Sequence, residues 1–267
     1  MVAEPGIGGL AVMSRLPSTQ EDPRLDGWYH TIELGSGLVS RGHFDHRSVV
    51  DCYGIPESLE GKTALDVGTG DGFFAFEMER RGAERVVAID VARVGDCDWL
   101  PRMRTRIGAL ADVQTWPDHF RMAHAMRGSQ VEYRPCSVYD LSPYTVGMFD
   151  VVFCGSLLVH LQNPMLALHR IRSVTRELAV VETAVDEEGE ALLGGRPVLS
   201  FGAPGPEREA GESNTFWLCS TTALQRMLEY ADFGATEPQG VFLLPPAGPT
   251  ATSVVARVSP RPDAPAG

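Results

Sequence analysis

The chain is short of the features that would commit it to several familiar fates. Its five cysteines, Cys52, Cys97, Cys136, Cys154 and Cys219, are odd in number, widely scattered, and nowhere spaced as a CxxC pair. That excludes a disulfide framework and a structural zinc site, and predicts free thiols in a reducing, cytoplasmic setting. No apolar run approaches the roughly 20 residues of a membrane span. The first twenty residues lack the charged n-region and long apolar core of a secretory signal. Positive charge is scarce: 23 Lys and Arg stand against 35 Asp and Glu, a formal net charge of −12. A protein that grips a nucleic-acid backbone usually shows a basic face, so this balance disfavours a nucleic-acid partner. Arg102, Arg104 and Arg106 form one short basic cluster, read here as a solvated loop.

What the chain does have is alternation. Short apolar runs that suit strands fall at 62–67, 85–90, 131–137, 149–154 and 178–184. Helical patterns lie between and after them, at 71–82, 107–127, 163–174 and 220–232. Asn163 followed by Pro164 is a sound helix start. Val241–Leu244 and Thr252–Val258 read as a closing antiparallel hairpin. The prediction is an α/β doubly wound parallel sheet with helices on both faces, as one domain over residues 25–258. Residues 1–24 are expected to be flexible, and 259–267 to be a disordered tail. Residues 25–60, with Trp28, Tyr29, His30, His43, Phe44 and His46, are predicted to form a mostly helical N-terminal cover over the ligand mouth. Residues 186–216 break the alternation with Gly194, Gly195, Pro197, Gly202, Pro204, Gly205, Pro206 and Gly211. A segment this long after the fifth strand is read as a substrate lid, with a tolerated insertion as the alternative.

The first strand carries the strongest signal. Thr63–Val67 runs into Gly68, Gly70 and Gly72, each separated by one small polar residue. Glycine lets the backbone turn sharply and a ligand approach closely, and the helix that follows aims its N-terminal amides at the turn. Asp90 ends the next strand, at about the 20-residue offset where an acid meets a ribose. The spacing is not G-x-G-x-x-G, because Phe73 stands where a dinucleotide site needs a small residue. Asp66 would also repel a pyrophosphate. A cationic nucleoside fits better.

In one-letter code these residues are LDVGTGDG and VVAID, which resembles the first two motifs of the class I S-adenosylmethionine-dependent methyltransferases. Phe149–Leu161 followed by Asn163 and Pro164 is similar to their fourth-strand motif, and Glu182 and Thr183 end the fifth strand. The resemblance extends over about Trp28 to Val258. Within that superfamily the chain is similar to the tRNA wobble-uridine carboxymethyltransferase group and its small-molecule relatives, on Glu77–Ala83, the fourth-strand motif, and Asn214-Thr215-Phe216-Trp217 before Ser220. The resemblance implies a Rossmann-like methyltransferase sheet and S-adenosyl-L-methionine as cofactor. It implies that Asp66, Gly68 and Gly70 line the methionine end and that Asp90 takes the ribose hydroxyls. Val91 would pack on the adenine, Val138 and Tyr139 would frame its other face, and Gly155 would lie beneath the sulfonium. Asp140 is an alternative adenine contact.

One departure matters. The wobble-uridine enzymes grip a carboxylated cofactor partly through a tyrosine before the fourth-strand histidine, and this chain has Val159 there. Only Arg41 and Arg47 could stand in for the family's basic residues upstream of the first strand. Both points favour ordinary S-adenosylmethionine and, with the acidic balance, a small-molecule acceptor. The expected function is methyl transfer to a secondary metabolite at oxygen, nitrogen or carbon. The alternatives are a tRNA-modifying (carboxy)methyltransferase and a non-methylating cyclisation or rearrangement on the same fold. An exposed cover is compatible with a homodimer.

The sulfonium is already electrophilic, so alignment can supply much of the rate, up to about 7–11 kcal/mol in favourable cases. His160 is the candidate base, since an imidazole titrating near pH 6.5 suits proton abstraction at neutral pH; a packing role weighs equally. His43 is a second candidate facing substrate, whereas His30 reads as an ordinary histidine. The His43-Phe44-Asp45-His46 cluster is too local to predict a metal, and none is expected. Trp217 could stack on a planar acceptor, and Phe216 reads as core.

Overall fold

Apolar runs bounded by turn residues become the central strands. The computed structural model describes residues 22–259 except 102–103, 105–106, 113–114, 202–214 and 247–248. The expectations for residues 1–21 and 260–267, for Arg102 and Arg106, and for the lid residues from Gly202 to Asn214 therefore lie outside the described residues. The N-terminal part contains β1 (Asp26–His30), β2 (Glu33–Gly35), β3 (Leu38–Val39) and β4 (Arg41–Phe44). Next come β5 (Thr63–Val67), α1 (Phe73–Arg80), β6 (Arg85–Asp90), α2 (Thr115–Arg127), β7 (Glu132–Pro135) and β8 (Phe149–Gly155). The chain continues through α3 (Pro164–Val174), β9 (Thr175–Ala184), α4 (Glu187–Leu192), β10 (Leu199–Phe201) and β11 (Trp217–Cys219). It closes with α5 (Thr221–Tyr230), β12 (Thr236–Leu243) and β13 (Thr250–Arg257).

Seven strands form one sheet in the order β12-β13-β9-β8-β5-β6-β7. The five from β9 to β7 are parallel, and β13 lies antiparallel to both β9 and β12. The chain winds outward from β5 through β6 to β7, then crosses back to lay β8 and β9 on the other side of β5. That reversal opens a crevice at the carboxyl ends of β5 and β8, where sheets of this kind bind ligands.

Continuous apolar runs let the sheet be buried on both faces. In β8, Val152 and Cys154 join the core that holds Ile171 of α3 and Leu224 of α5. Val151 and Phe153 turn to the opposite core, with Phe74 and Met78 of α1 and Trp28 of β1. Helix starts follow local chemistry. Asn163 accepts from the Leu166 amide at 3.0 Å ahead of Pro164, and Ser220 accepts from the Ala223 amide at 3.3 Å. Gly72 precedes α1 at φ +99°, and a Cβ there would lie 2.6 Å from Phe76 Cε2 and 2.8 Å from Phe120 Cδ2.

The N-terminal cover is built from strands and 3-10 turns, not from the helices expected. Trp28 and His30 are buried around a half-buried Tyr29, a strand-like alternation. Gly35 at φ +92°, Ser36 at +52° and Gly37 at +77° reverse the chain and bar a helix. β1 then pairs in parallel with β4, so closely that a Cβ on Gly42 would lie 2.1 Å from the His30 carbonyl carbon. Elsewhere the boundaries moved modestly: β9 begins at Thr175, and α2 begins at Thr115 behind a 3-10 turn, Gly108–Asp112. β10, inside the expected lid, forms an antiparallel ribbon with β11, which follows it. All five cysteines are free. Among the described residues no helix is long and apolar enough to cross a membrane.

Gly72→Ala is expected to lower unfolding stability by about 1–3 kcal/mol, because it adds a disfavoured backbone conformation and a clash. Asn163→Ala should cost about 1 kcal/mol through its lost cap. Urea denaturation followed by circular dichroism measures both, and a Gly72→Ala midpoint equal to wild type would contradict the packing described.

Candidate active site

A cavity of about 430 Å³ occupies the crevice. Its first wall is the turn after β5. Gly68 and Gly70 adopt φ +77° and +57°, and the Gly68 and Thr69 amides both donate to the Ile89 carbonyl, at 2.9 and 3.0 Å. Asp90 then locks the turn to β6. One carboxylate oxygen accepts from the Gly70 amide at 2.8 Å and the other from the Val91 amide at 2.7 Å. Burial pushes the Asp90 carboxyl up to about 6, against those two amides, which act to lower it. Asp90 and Val91 line the cavity together with Val138 and Tyr139, which follow β7, and Gly155, which ends β8.

Asp66 stands one layer back. It is buried, accepts from the Thr69 hydroxyl at 2.7 Å, and is not among the lining residues. The structure therefore sets it behind the glycine turn rather than at the ligand surface. Burial pushes it up to about 7.

Two further walls complete the cavity. The first is the cover, fastened by Asp71. This fully buried carboxylate accepts from the Tyr29 amide at 2.9 Å, from the His30 amide at 2.9 Å, and pairs with His30 Nδ1. Tyr29, His30, Phe44 and His46 thereby reach the cavity. The pairs Tyr29–Phe44 and Phe74–Phe153, with ring centroids 5.2 and 4.0 Å apart, give it an aromatic inner chamber. His46 bonds the Tyr53 hydroxyl at 2.7 Å, and burial pushes its imidazole down to about 2, so it is neutral. The second wall is the segment after β6. Asp98 accepts from the Tyr139 hydroxyl at 2.6 Å and from the Gln162 amide at 2.7 Å, which fixes Tyr139 against the loop before α3. Neither acid sits in a pattern readable along the chain, since each partner is at least 40 residues away or contributed by a loop.

The histidines separate. His160 lines the cavity from the 3-10 turn after β8. His43 is exposed on β4, and the strand's alternation turns its neighbour Phe44 inward instead. His30, expected to be ordinary, is buried on Asp71. Asp140 is exposed and off the cavity. Trp217 is also off it: its indole donates to the Leu161 carbonyl at 2.8 Å and its ring packs on Phe201. Phe216 is buried, as its core reading required. Val159 is buried and does not line the cavity.

Glu182, near the end of β9, also lines the cavity. It is 1% exposed. One carboxylate oxygen accepts from the Ser156 hydroxyl at 2.9 Å; the other has no hydrogen-bond partner among the described residues. Burial pushes it up to about 7. Its position after a strand run was legible, but its inward aim was not.

Residues 65–181 match the model of a family described as a methyltransferase domain. Curated relatives include the tRNA U34 carboxymethyltransferase of Pseudomonas paraeruginosa, 32% identical over 178 residues, which are 66% of this chain and 46% of that protein. The enzyme of the same name from Shewanella amazonensis is 28% identical over 179 residues, 66% of this chain and 44% of that one. The chain thus spans less than half the length of these relatives. Among solved structures, the N-terminal domain of EvdMO1 in the presence of SAH and D-fucose superposes with a TM-score of 0.60 at 19% identity, covering 88% of this chain and 93% of that one. Magnesium protoporphyrin IX methyltransferase from Synechocystis with bound SAH gives 0.53 at 14% identity, covering 80% and 81%. At these identities the likeness is one of fold.

Two predictions follow from the buried acids. Asp71→Ala strips the part-buried Tyr29 amide, the buried His30 amide and the His30 ring of their shared partner and should destabilise the protein by about 3–5 kcal/mol, with faster amide exchange at Tyr29 and His30. Asp66 has a folded pKa above its unfolded value near 4, so the native state holds a proton that the unfolded chain has released. Its contribution is full below about pH 4 and is lost as pH rises through about 7. Asp66→Asn should therefore narrow the fall in Tm between pH 5 and 8 seen by scanning calorimetry; an unchanged slope would contradict the assignment.

Proposed function

We propose that this chain, whose residues 65–181 match a methyltransferase domain, is a class I S-adenosylmethionine-dependent methyltransferase and that it methylates a small, flat, largely apolar acceptor with S-adenosylmethionine as donor. The observation that carries this is the continuity of one cavity from the Asp90 end to the aromatic chamber. A nucleoside donor and a small acceptor would meet there without either crossing solvent.

The residues present fit the donor. A Cβ on Gly68 would meet Leu157 Cδ2 at 3.2 Å, so the bare backbone keeps that floor open. Among the described lining residues, Asp90, Asp96, Asp98 and Glu182 are acids and Arg104 is the one Lys or Arg. That lining attracts a sulfonium and an α-ammonium and repels a pyrophosphate. Asp90 would hold the ribose hydroxyls, Val91, Val138 and Tyr139 would flank the adenine, and Gly68 and Gly70 would border the methionine end. When bound, the donor supplies an electrophilic methyl group. The protein's own work is to bind, to orient and to keep water out. The cover held by Asp71 roofs the chamber, and its rings set the plane in which an acceptor lies. His160 lines the same space with His30 and His46, of which His30 is paired with Asp71 and His46 is bonded to Tyr53.

A second reading, modification of tRNA, is favoured by the names of the curated relatives. Several surface arginines are spent on neighbouring acids, among them Arg24 on Asp22, Arg47 on Asp45, Arg80 on Glu77 and Arg85 on Glu132. Val159 can offer no hydrogen bond to a carboxylated donor. Both points support the small-molecule reading.

Calorimetry should detect S-adenosylhomocysteine binding to the wild type, and Asp90→Asn should weaken it by about tenfold or more, the worth of charge-assisted hydrogen bonds. Equal affinities would remove Asp90 from the donor site. Filter binding with bulk tRNA should give weak retention even at low salt; tight, salt-sensitive binding would favour the second reading.

A further inference from the structure

Among the described residues, five buried side-chain polar atoms have no hydrogen-bond partner, and Glu182, which supplies one carboxylate oxygen to that set, is the member that lines the cavity; folded proteins satisfy most such atoms. An unsatisfied buried acceptor costs free energy, so a ligand that completes it is gripped selectively. Its surroundings narrow that ligand. Glu182 pairs in register with Gly155 of β8 and Ser253 of β13, and a Cβ on Gly155 would lie 3.3 Å from its bonded oxygen. Glycine at 155 therefore leaves the carboxyl room beside the crevice. The groups that act on it electrostatically are Tyr29 and His30 from β1, Tyr53 from the cover and Cys154 from β8. None of them donates to the free oxygen. The walls beyond it are the Phe74 and Phe153 rings, stacked at 4.0 Å, and Tyr29 packed on Phe44.

We propose that Glu182 is the acceptor-binding residue: its free oxygen takes the hydrogen bond of a hydroxyl on a planar aromatic acceptor and receives that proton as the methyl is transferred. This rests on the reading of the cavity as a methyl-transfer site. In the step, the acceptor oxygen bonds to the methyl carbon while the carbon–sulfur bond breaks and its electron pair stays on sulfur. The acceptor's proton passes to Glu182. A carboxylate and a sulfonium thus become a carboxylic acid and a thioether, and the acceptor leaves as a methyl ether. Opposite charges vanish together, a change that a low-dielectric chamber favours over water. A protonated amine would put a second cation beside the sulfonium and offers no lone pair, so a neutral hydroxyl is the class selected.

The test uses full-length protein saturated with S-adenosylhomocysteine, titrated by calorimetry with 2-naphthol and with its methyl ether, which lacks the hydrogen to donate. The wild type should prefer the naphthol by about tenfold or more. Glu182→Gln keeps the size and an acceptor for Ser156 but not the charge, and should reduce the preference to about twofold or less. Glu182→Asp, which keeps the charge, should retain more of it and serves if the glutamine variant is unstable. No binding of naphthol, no preference in the wild type, or a preference that survives in Glu182→Gln overturns the proposal. If the wild type fails to bind S-adenosylhomocysteine, it is the underlying methyl-transfer reading that falls.

Discussion

One buried carboxylate fixes the edge of the cover against the crevice that the strand order opens. Asp71 belongs to the glycine turn after β5, yet its side-chain hydrogen bonds among the described residues go to β1, more than 40 residues earlier. The cover is also held by Trp28 and Tyr53 in the core, by the Ser253 hydroxyl donating to the Tyr53 carbonyl and by the Asp45 amide donating to the Pro245 carbonyl; Asp71 is the clasp that fixes β1 at the crevice itself. β1 and β4 pair only with each other and are not part of the seven-stranded sheet. Tyr29, His30, Phe44 and His46 reach the crevice because the clasp fixes the strand that carries or neighbours them. Two amides and a histidine nitrogen converge on one buried carboxylate, and such bonds strengthen where water is excluded.

The same exclusion of water sets the electrostatics. Asp66, Asp90 and Glu182 are all pushed up by burial, to about 7, 6 and 7. Each sits near the carboxyl end of a strand of the sheet, Asp90 and Glu182 lining the crevice and Asp66 behind its glycine turn. Their differences are in partnering. Asp90 is satisfied by two amides and shapes the glycine turn. Asp66 is satisfied by Thr69 and supports the turn from behind. Glu182 is half satisfied, and that deficit is where a ligand can act. A bound cation would draw all three toward their charged forms.

Much of the parallel framework was legible. β5, β6 and β8 and α3 lie close to where apolar runs and the Asn163–Pro164 start signal put them, because strands buried on both faces must be apolar throughout. Gly68, Gly70, Asp90, Val91, Val138, Tyr139 and Gly155 line one cavity, all from segments that follow strand ends. The cover was misjudged because its aromatics and histidines were counted without the period-two burial and left-handed turns at Gly35 to Gly37, which make it strand. His43 was set aside by a shift of one residue along β4, where the side-chain direction reverses at every step. Asp71, Asp98 and Glu182 were passed over because their roles depend on partners remote in sequence.

Local order thus came from the sequence by itself: where apolar runs must pair, where a glycine permits a left-handed bend, where a cap starts a helix, and that an acid follows the second central strand. Those are short-range demands, satisfied within a few residues. Only the tertiary structure decided which acids face a ligand, which histidine is buried, and how the cover closes the crevice. The reason is physical. A carboxylate's charge, reach and partners depend on what excludes water from it, and the excluding residues here come from both ends of the chain.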